Sequence, residues 1–185
     1  SNNLLFENKS KTTEKKRIYL YDKQVLRIDI EEIEDLKISS SFQKFIENIN
    51  QFDVVILSDY NKGILNENTL PYIINACKSP IIIDPKKSDF SIYKNATILT
   101  PNMKELDSAV KIDVKDDNSI IEASRYLIKN YGFKYIITTK GKDGMSIVGK
   151  NIEDHISSKF IENPDVTGAG AVSYTHLRAH ETPCH

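Results

Sequence analysis

The sequence predicts an α/β fold with a mostly parallel sheet, and three observations carry that expectation. Short, uniformly apolar runs recur along the chain. Segments with apolar residues at helical spacing separate them. Polar loops holding lysines and carboxylates follow the apolar runs. Strands that are apolar on both faces belong in a parallel sheet covered by helices. In such sheets, ligands bind outside the carboxyl ends of the strands.

The elements follow in order. "KRIYLY" and "QVLRIDI" are β-rich runs separated by "DK", which predicts a hairpin. "SSFQKFIENINQF" places Phe42, Phe45, Ile46 and Ile49 at helical spacing. "DVVILS" is a continuous apolar run and is expected to be buried on both faces. "NENTLPYIINACK" predicts a helix with Asn66 or Asn68 at its cap. "SPIIIDP" is a second buried strand, stopped by Pro85, and "ATILTPN" a third. "NMKELDSAV" and "SIIEASRYLIKNYG" read as helices, the latter closed by Gly132. "FKYIITT" is a fourth buried strand, and "GMSIVGK" and "IEDHIS" are strands near the sheet edge. Four polar segments then fall after buried strands: "SDYNKG", "DPKKSD", "TPNMKE" and "TKGKDG". Their joint content of carboxylates and lysines suits either solvated turns or a phosphate- or sugar-binding edge.

Composition narrows the classes. The 185 residues are 39% hydrophobic and 28% charged, an ordinary globular balance, and fit one domain or a large piece of one. A formal net charge of -1 gives no overall basic field, so no nucleic-acid partner is expected. The run "KSKTTEKKR" is a local basic cluster, read first as a solvated loop or strand end. No apolar run of about 18 residues is present, so no membrane partner is expected. "SNNLLFENKSK" lacks the apolar core of a signal peptide. Cys77 and Cys184 form no metal-spaced motif, and a cytoplasmic location is expected.

The segment "DVTGAG", residues 165–170, carries the sharpest chemistry. Thr167, Gly168, Ala169 and Gly170 have little bulk, so their amides can approach an anion closely, and a helix beginning there adds its positive end. Such a loop can offset charge developing on a transferred phosphoryl group. A carboxylate beside it would take the proton of the acceptor hydroxyl.

These motifs resemble the ribokinase-like (PfkB) sugar kinases, where DVTGAG is followed by Asp. "TPNMKE" matches the N-x-x-E motif at Asn102 and Glu105, and "TKGKDG" matches T-x-G-x-x-G at Thr139, Gly141 and Gly144. Within the family, "TTEKKR", "KQVLRIDIEE", "LSDYNKGIL", "IDPKKSDFSIYKNATILTPNMKE" and "TTKGKDGMSIV" look like the branch that phosphorylates heptose 7-phosphate, the kinase domain of bifunctional ADP-heptose synthesis proteins. The resemblance spans residues 11 to 171. It implies a partial ribokinase-like three-layer fold with a β-hairpin lid at residues 11–33, and ATP with Mg²⁺ as cofactors.

Residue roles follow from the resemblance alone. Asn102, Met103, Lys104 and Glu105 would contact ATP, with Glu105 helping to organise Mg²⁺ indirectly. Thr139, Gly141 and Gly144 would line the nucleotide. Asp59, Lys62 and Lys86 would face the sugar phosphate. Lys15, Arg17, Gln24 and Arg27 belong to the hairpin that caps the sugar or joins two subunits in a homodimer. Gly168, Ala169 and Gly170 would form the anion hole. The implied reaction converts heptose 7-phosphate to heptose 1,7-bisphosphate, toward ADP-heptose and the lipopolysaccharide core. Another PfkB sugar or nucleoside kinase is the alternative. Each residue also has a plainer reading: Asn102 and Glu105 make a complete capping box, Thr139 and Gly141 suit a turn, Lys86 suits a surface, and Arg27 alternates as an exposed strand residue would.

Position 171 departs from the pattern. Ala171 stands where the family's aspartate base belongs, and a methyl group accepts no proton. Residues 172–185, "VSYTHLRAHETPCH", hold three of the four histidines and resemble a translated sequencing adapter. Joining the G of an Asp codon to an adapter beginning CT yields an alanine codon. The expectation is therefore an incomplete kinase domain over residues 1–171, a non-native tail over 172–185, and an inactive or nucleotide-binding-only chain. Genomic sequence across codon 171 tests this; a native alanine codon there would refute it. His176 and His180 lie four apart, with Cys184 and His185 beyond, but their spacing matches no established zinc pattern.

Overall fold

The computed structural model describes residues 13–21 and 23–158. The DVTGAG loop, Ala171 and the tail lie outside the described residues. The described residues form two sheets. Strands β1 (Glu14–Leu20) and β2 (Lys23–Ile30) make the expected antiparallel hairpin. The turn falls one residue earlier than expected: Lys23 is already in β2 and Tyr21 takes a left-handed φ of 52°. A bulge between Ile18 and Tyr19 shifts the register.

The main sheet has six strands in the order β3-β4-β5-β6-β7-β8. Strands β3 (Val55–Ser58), β4 (Ile81–Asp84), β5 (Ile98–Leu99) and β6 (Tyr135–Thr139) run parallel; β7 (Met145–Gly149) and β8 (Glu153–Ile156) add antiparallel. Helices α1 (Ser40–Glu47), α2 (Thr69–Ala76), α3 (Met103–Ala109) and α4 (Asp117–Tyr131) fall between the strands. The mostly parallel α/β expectation holds.

Register explains where the core sits. Leu57, Ile83, Leu99, Ile136 and Val148 are aligned across five strands. Ile83, Leu99, Ile136 and Val148 are fully buried. Phe42 and Ile46 of α1, Leu70 and Ile73 of α2, Leu106 of α3 and Ile120 and Leu127 of α4 join Ile83, Leu99 and Ile136 in one cluster. The neighbouring register row, Ile56, Ile82, Ile98 and Tyr135, lies on the other face, because side chains alternate along a strand.

Three local readings need correction. β3 is not buried on both faces: its residues alternate half-buried and exposed, and Ile56 is 48% exposed. The cause is position, since β3 is the outermost strand among the described residues. The third strand shrinks to Ile98–Leu99: Thr100 still donates its amide to the Ile83 carbonyl at 2.9 Å, but Pro101 has no amide to carry the ladder further. Phe45 has helical spacing but is exposed, while Phe42 and Ile46 take the core.

Caps follow the sequence more closely. Asn68 is the N-cap residue of α2, yet its side chain makes no cap bond. The Asn66 side-chain oxygen accepts instead from the amides of Asn68 and Thr69, at 2.9 and 3.0 Å. Gly132 closes α4 in the left-handed conformation, as expected.

Candidate active site

The four polar loops lie together at the carboxyl edge of β3, β4, β5 and β6; side chains join the first three, and backbone contacts join the third to the fourth. At the end of β3, the Asp59 amide donates to the Asp84 carbonyl at 2.9 Å, carrying the strand pairing one residue further. The Asp59 side chain is buried. One carboxylate oxygen accepts the Asn61 amide at 2.6 Å; the other accepts the Tyr93 hydroxyl at 2.6 Å and lies 3.8 Å from the Lys87 ammonium. Lys87 also donates to the Asn61 side-chain oxygen at 2.7 Å. Asn61 and Gly63 both take positive φ, 53° and 82°, so the loop doubles back sharply. A side chain at Gly63 would meet the Glu34 carbonyl at 2.1 Å, which fixes glycine there.

Lys62 pairs with Glu31, just past β2, and the Leu36 amide donates to the Gly63 carbonyl at 2.9 Å. The base of the hairpin is thereby stitched to the Asp59 loop. Lys86 and Lys87 diverge after β4. Lys87 turns to Asp59, and Lys86 reaches Glu105 at 3.2 Å. Lys86 therefore sits with the N-x-x-E motif, while its neighbour contacts the loop that holds Asp59.

After β5, Asn102 and Glu105 form a full capping box. The Asn102 side chain accepts the Glu105 amide at 2.9 Å, and the Glu105 carboxylate accepts the Asn102 amide at 3.0 Å. Both Glu105 oxygens are thus engaged, one by Asn102 and one by Lys86. Among the described residues no group of three His, Cys, Asp or Glu could hold a metal ion. Met103 packs half-buried against the core, and Lys104 is exposed.

Asn102 and Thr139 form a parallel bridge, and the Thr139 amide donates to Pro101 at 2.9 Å, so the third and fourth loops are adjacent. The two glycines of the fourth loop differ. A side chain at Gly144 would strike the Ile156 carbonyl at 1.9 Å, so this glycine serves the packing of β8. Beside Gly141, with φ 61°, nothing lies within 4 Å of an added Cβ, which leaves its backbone open to a ligand. Lys140, just before Gly141, donates to Asp117 at 2.7 Å, and that bond holds the Asp117 carboxyl below its usual pKa.

On the hairpin, Arg17 and Arg27 lie opposite one another and Lys15 lies opposite Asp29. Arg27 donates three bonds to Asp29, at 2.8, 3.1 and 2.5 Å, which hold the Asp29 carboxyl below its usual pKa. Gln24 pairs with Tyr19. All of these residues are exposed. The hairpin's other residues include exposed Ile18, Leu26, Ile28 and Ile30. Gly168, Ala169, Gly170 and Ala171 lie outside the described residues.

Sequence reasoning did not single out Tyr93, Asn61 or Lys87. Tyr93 sits in "DFSIY" as an ordinary apolar-spaced aromatic, and its partner Asp59 is 34 residues away. The doubled lysine at 86 and 87 hides which one turns toward Asp59.

Fold and loops define a class: an α/β protein with its polar, ligand-capable loops ranged along the carboxyl edge of a parallel sheet. The model of the pfkB family carbohydrate kinase matches residues 3–170, and the chain belongs to that family. It is 39% identical over 165 residues to the Bifunctional protein HldE of Mesorhizobium japonicum, covering 86% of this chain and 33% of that protein. It is 39% identical over 171 residues to the Bifunctional protein HldE of Campylobacter curvus, covering 90% and 36%. The chain thus spans about a third of the length of these curated relatives. Among solved structures, Arabidopsis thaliana ribokinase complexed with ribose and ATP superposes with a TM-score of 0.69 at 17% identity, over 95% of this chain and 59% of that one. The phosphofructokinase-2 from Escherichia coli in complex with fructose-6-phosphate gives 0.62 at 15% identity, over 84% and 55%. At these identities the two structures speak for the fold alone.

Proposed function

We propose that this chain carries the sugar- and nucleotide-facing edge of an ATP-dependent kinase. The kinase transfers a phosphoryl group to the anomeric hydroxyl of heptose 7-phosphate, toward ADP-heptose and the lipopolysaccharide core, in the cytoplasm. The observation that carries the reading is the unbroken line of contacts Asp59–Tyr93–Lys86–Glu105–Asn102–Thr139 across four strand ends. The match to proteins named HldE supports the heptose branch of the family.

In this reading Asp59, with Lys62 and Lys87 beside it, faces the sugar, and Lys15, Arg17 and Arg27 cover it from the hairpin. Asn102, Glu105, Thr139 and Gly141 face ATP. Bound Mg²⁺ would offset charge on the nucleotide phosphates; Glu105, already capped and paired, would orient that region without ligating the ion. The amides of Gly168, Ala169 and Gly170 would hold the transferring phosphoryl group. Aspartate at 171 would take the acceptor proton, and the present Ala171 leaves that step without a base. The exposed apolar side chains of the hairpin, Ile18, Leu26, Ile28 and Ile30, would pack against a second copy in a homodimer.

The test is a panel. Full-length protein with aspartate at 171 is given ATP, Mg²⁺ and either heptose 7-phosphate, fructose, ribose, fructose 6-phosphate or a nucleoside. Preference for heptose 7-phosphate is expected. Preference for an unphosphorylated sugar or a nucleoside would replace the heptose assignment with another kinase of the family.

A further inference from the structure

Tyr93 closes the turn Phe90–Tyr93 and is fully buried. Its ring meets Phe90 edge-on at a centroid distance of 6.0 Å, and filling the core needs nothing more than a ring. The hydroxyl is what core filling does not explain. A phenol has one proton to donate and can accept two hydrogen bonds. All three are used here, and all three go to the ligand edge. The hydroxyl donates to Asp59 at 2.6 Å and accepts the amides of Lys86 at 3.3 Å and Lys87 at 3.2 Å. Those two lysines then part, Lys86 to Glu105 and Lys87 to Asn61. The hydroxyl therefore stands where the loop bearing Asp59 and the loop leading to Glu105 divide. Burial first, and Asp59 second, push its pKa upward, so it stays protonated and keeps donating.

We propose that Tyr93 is the positioning residue of the sugar-phosphate site: its hydroxyl fastens the buried Asp59 carboxylate, and with it the loop that carries Asn61 and Lys62, to the loop that leaves β4. The proposal rests on the sugar-kinase reading above and adds a residue to it. Tyr93 touches no substrate; it acts through Asp59. Asn61 restrains one Asp59 oxygen within its own loop, while the Tyr93 hydroxyl makes the hydrogen bond to the other, which the Lys87 ammonium approaches only to 3.8 Å. Loss of the hydroxyl frees the carboxylate to rotate while the capping box of Asn102 and Glu105, held by its own two bonds, stays in place. The effect should therefore fall on one ligand and spare the other.

Calorimetric Kd values decide it, measured for heptose 7-phosphate and separately for ATP on the full-length protein, Tyr93→Phe, Asp59→Asn and the double variant. Tyr93→Phe should weaken heptose 7-phosphate by about ten-fold, the worth of one ordinary hydrogen bond. It should leave ATP within about two-fold, well inside that same scale. The double variant should bind heptose 7-phosphate no worse than Asp59→Asn alone, because the tyrosine acts through that carboxylate. Equal weakening of both ligands, no weakening of either, or additive losses would overturn the proposal. If Tyr93→Phe does not fold, 3-fluorotyrosine placed at 93 retunes the hydroxyl without deleting it; a changed Kd for heptose 7-phosphate with ATP unchanged supports the role, and no change overturns it. A parent protein that binds ATP but no sugar phosphate refutes the sugar-kinase reading itself, an outcome distinct from a parent that binds both while Tyr93→Phe does nothing.

Discussion

At residue scale, side chains already committed to structure also stand at the ligand edge. Asn102 and Glu105 are a helix cap first: each side chain accepts the other's amide. Asn102→Ala should cost about 1 kcal/mol of stability, the usual worth of a cap, measured by urea unfolding. If the pair also faces ATP, the same variant should weaken ATP more than heptose 7-phosphate in the full-length protein; equal loss for both would leave only the cap. Position 171 makes the largest prediction at this scale. Full-length proteins differing only by Ala or Asp at 171 should differ in turnover by roughly 10²–10⁴-fold, the range of a positioned base. Equal rates would mean that the base lies elsewhere. The capping box of Asn102 and Glu105 was legible because its two partners are three residues apart. Tyr93 was not legible, because its partner comes from another strand end.

At element scale, glycine and the start of α4 carry the clearest consequences. Gly63 sits at φ 82° with the Glu34 carbonyl where a Cβ would be. Gly63→Ala should destabilise by about 1–3 kcal/mol, through left-handed strain and the clash together. Unfolding midpoints in urea measure it, and an unchanged midpoint would refute the packing described. Helix α4 begins with two carboxylates. Asp116 caps it by accepting the Ser119 amide at 2.8 Å, and Asp117 is paired with Lys140. Both have pKa values lowered by these hydrogen bonds. Their stabilisation is therefore complete above the unfolded carboxylate pKa and is lost as pH falls through the lower folded values. Melting temperature should drop below about pH 4, and Asp117→Asn should remove part of that slope. A melting temperature that rises on acidification would contradict the assignment. Helix caps and periodicities were readable at this scale. The exposure of β3 was not, because an apolar run records hydrophobicity and leaves open whether its strand is central or outermost.

At the scale of the whole molecule, the sheet gathers into one line what the chain scatters over some eighty residues, from Asp59 to Thr139. Parallel strands make this possible, since each delivers its following loop to the same edge. The hairpin is a separate two-stranded sheet, and such ribbons are marginal alone. Its exposed Ile18, Leu26, Ile28 and Ile30 lead us to expect a dimer in the full-length protein. Leu26→Glu should halve the mass seen by light scattering; a parent protein that is already monomeric would exclude the hairpin interface. Sequence made legible the parallel part of the sheet, from the alternation of strand and helix, and the place of β7 and β8 toward its edge. It left the partition of Lys86 and Lys87 open, since only the packed loop decides which of two adjacent lysines turns toward Asp59.

The central claim is phosphoryl transfer from ATP to the anomeric hydroxyl of heptose 7-phosphate. Phosphorus NMR of the full-length protein with aspartate at 171, incubated with ATP, Mg²⁺ and heptose 7-phosphate, tests it directly. A new anomeric phosphate resonance, growing as ADP appears while the 7-phosphate signal persists, is the predicted result. ATP consumed without that resonance, or the resonance formed only on an unphosphorylated sugar, would contradict it.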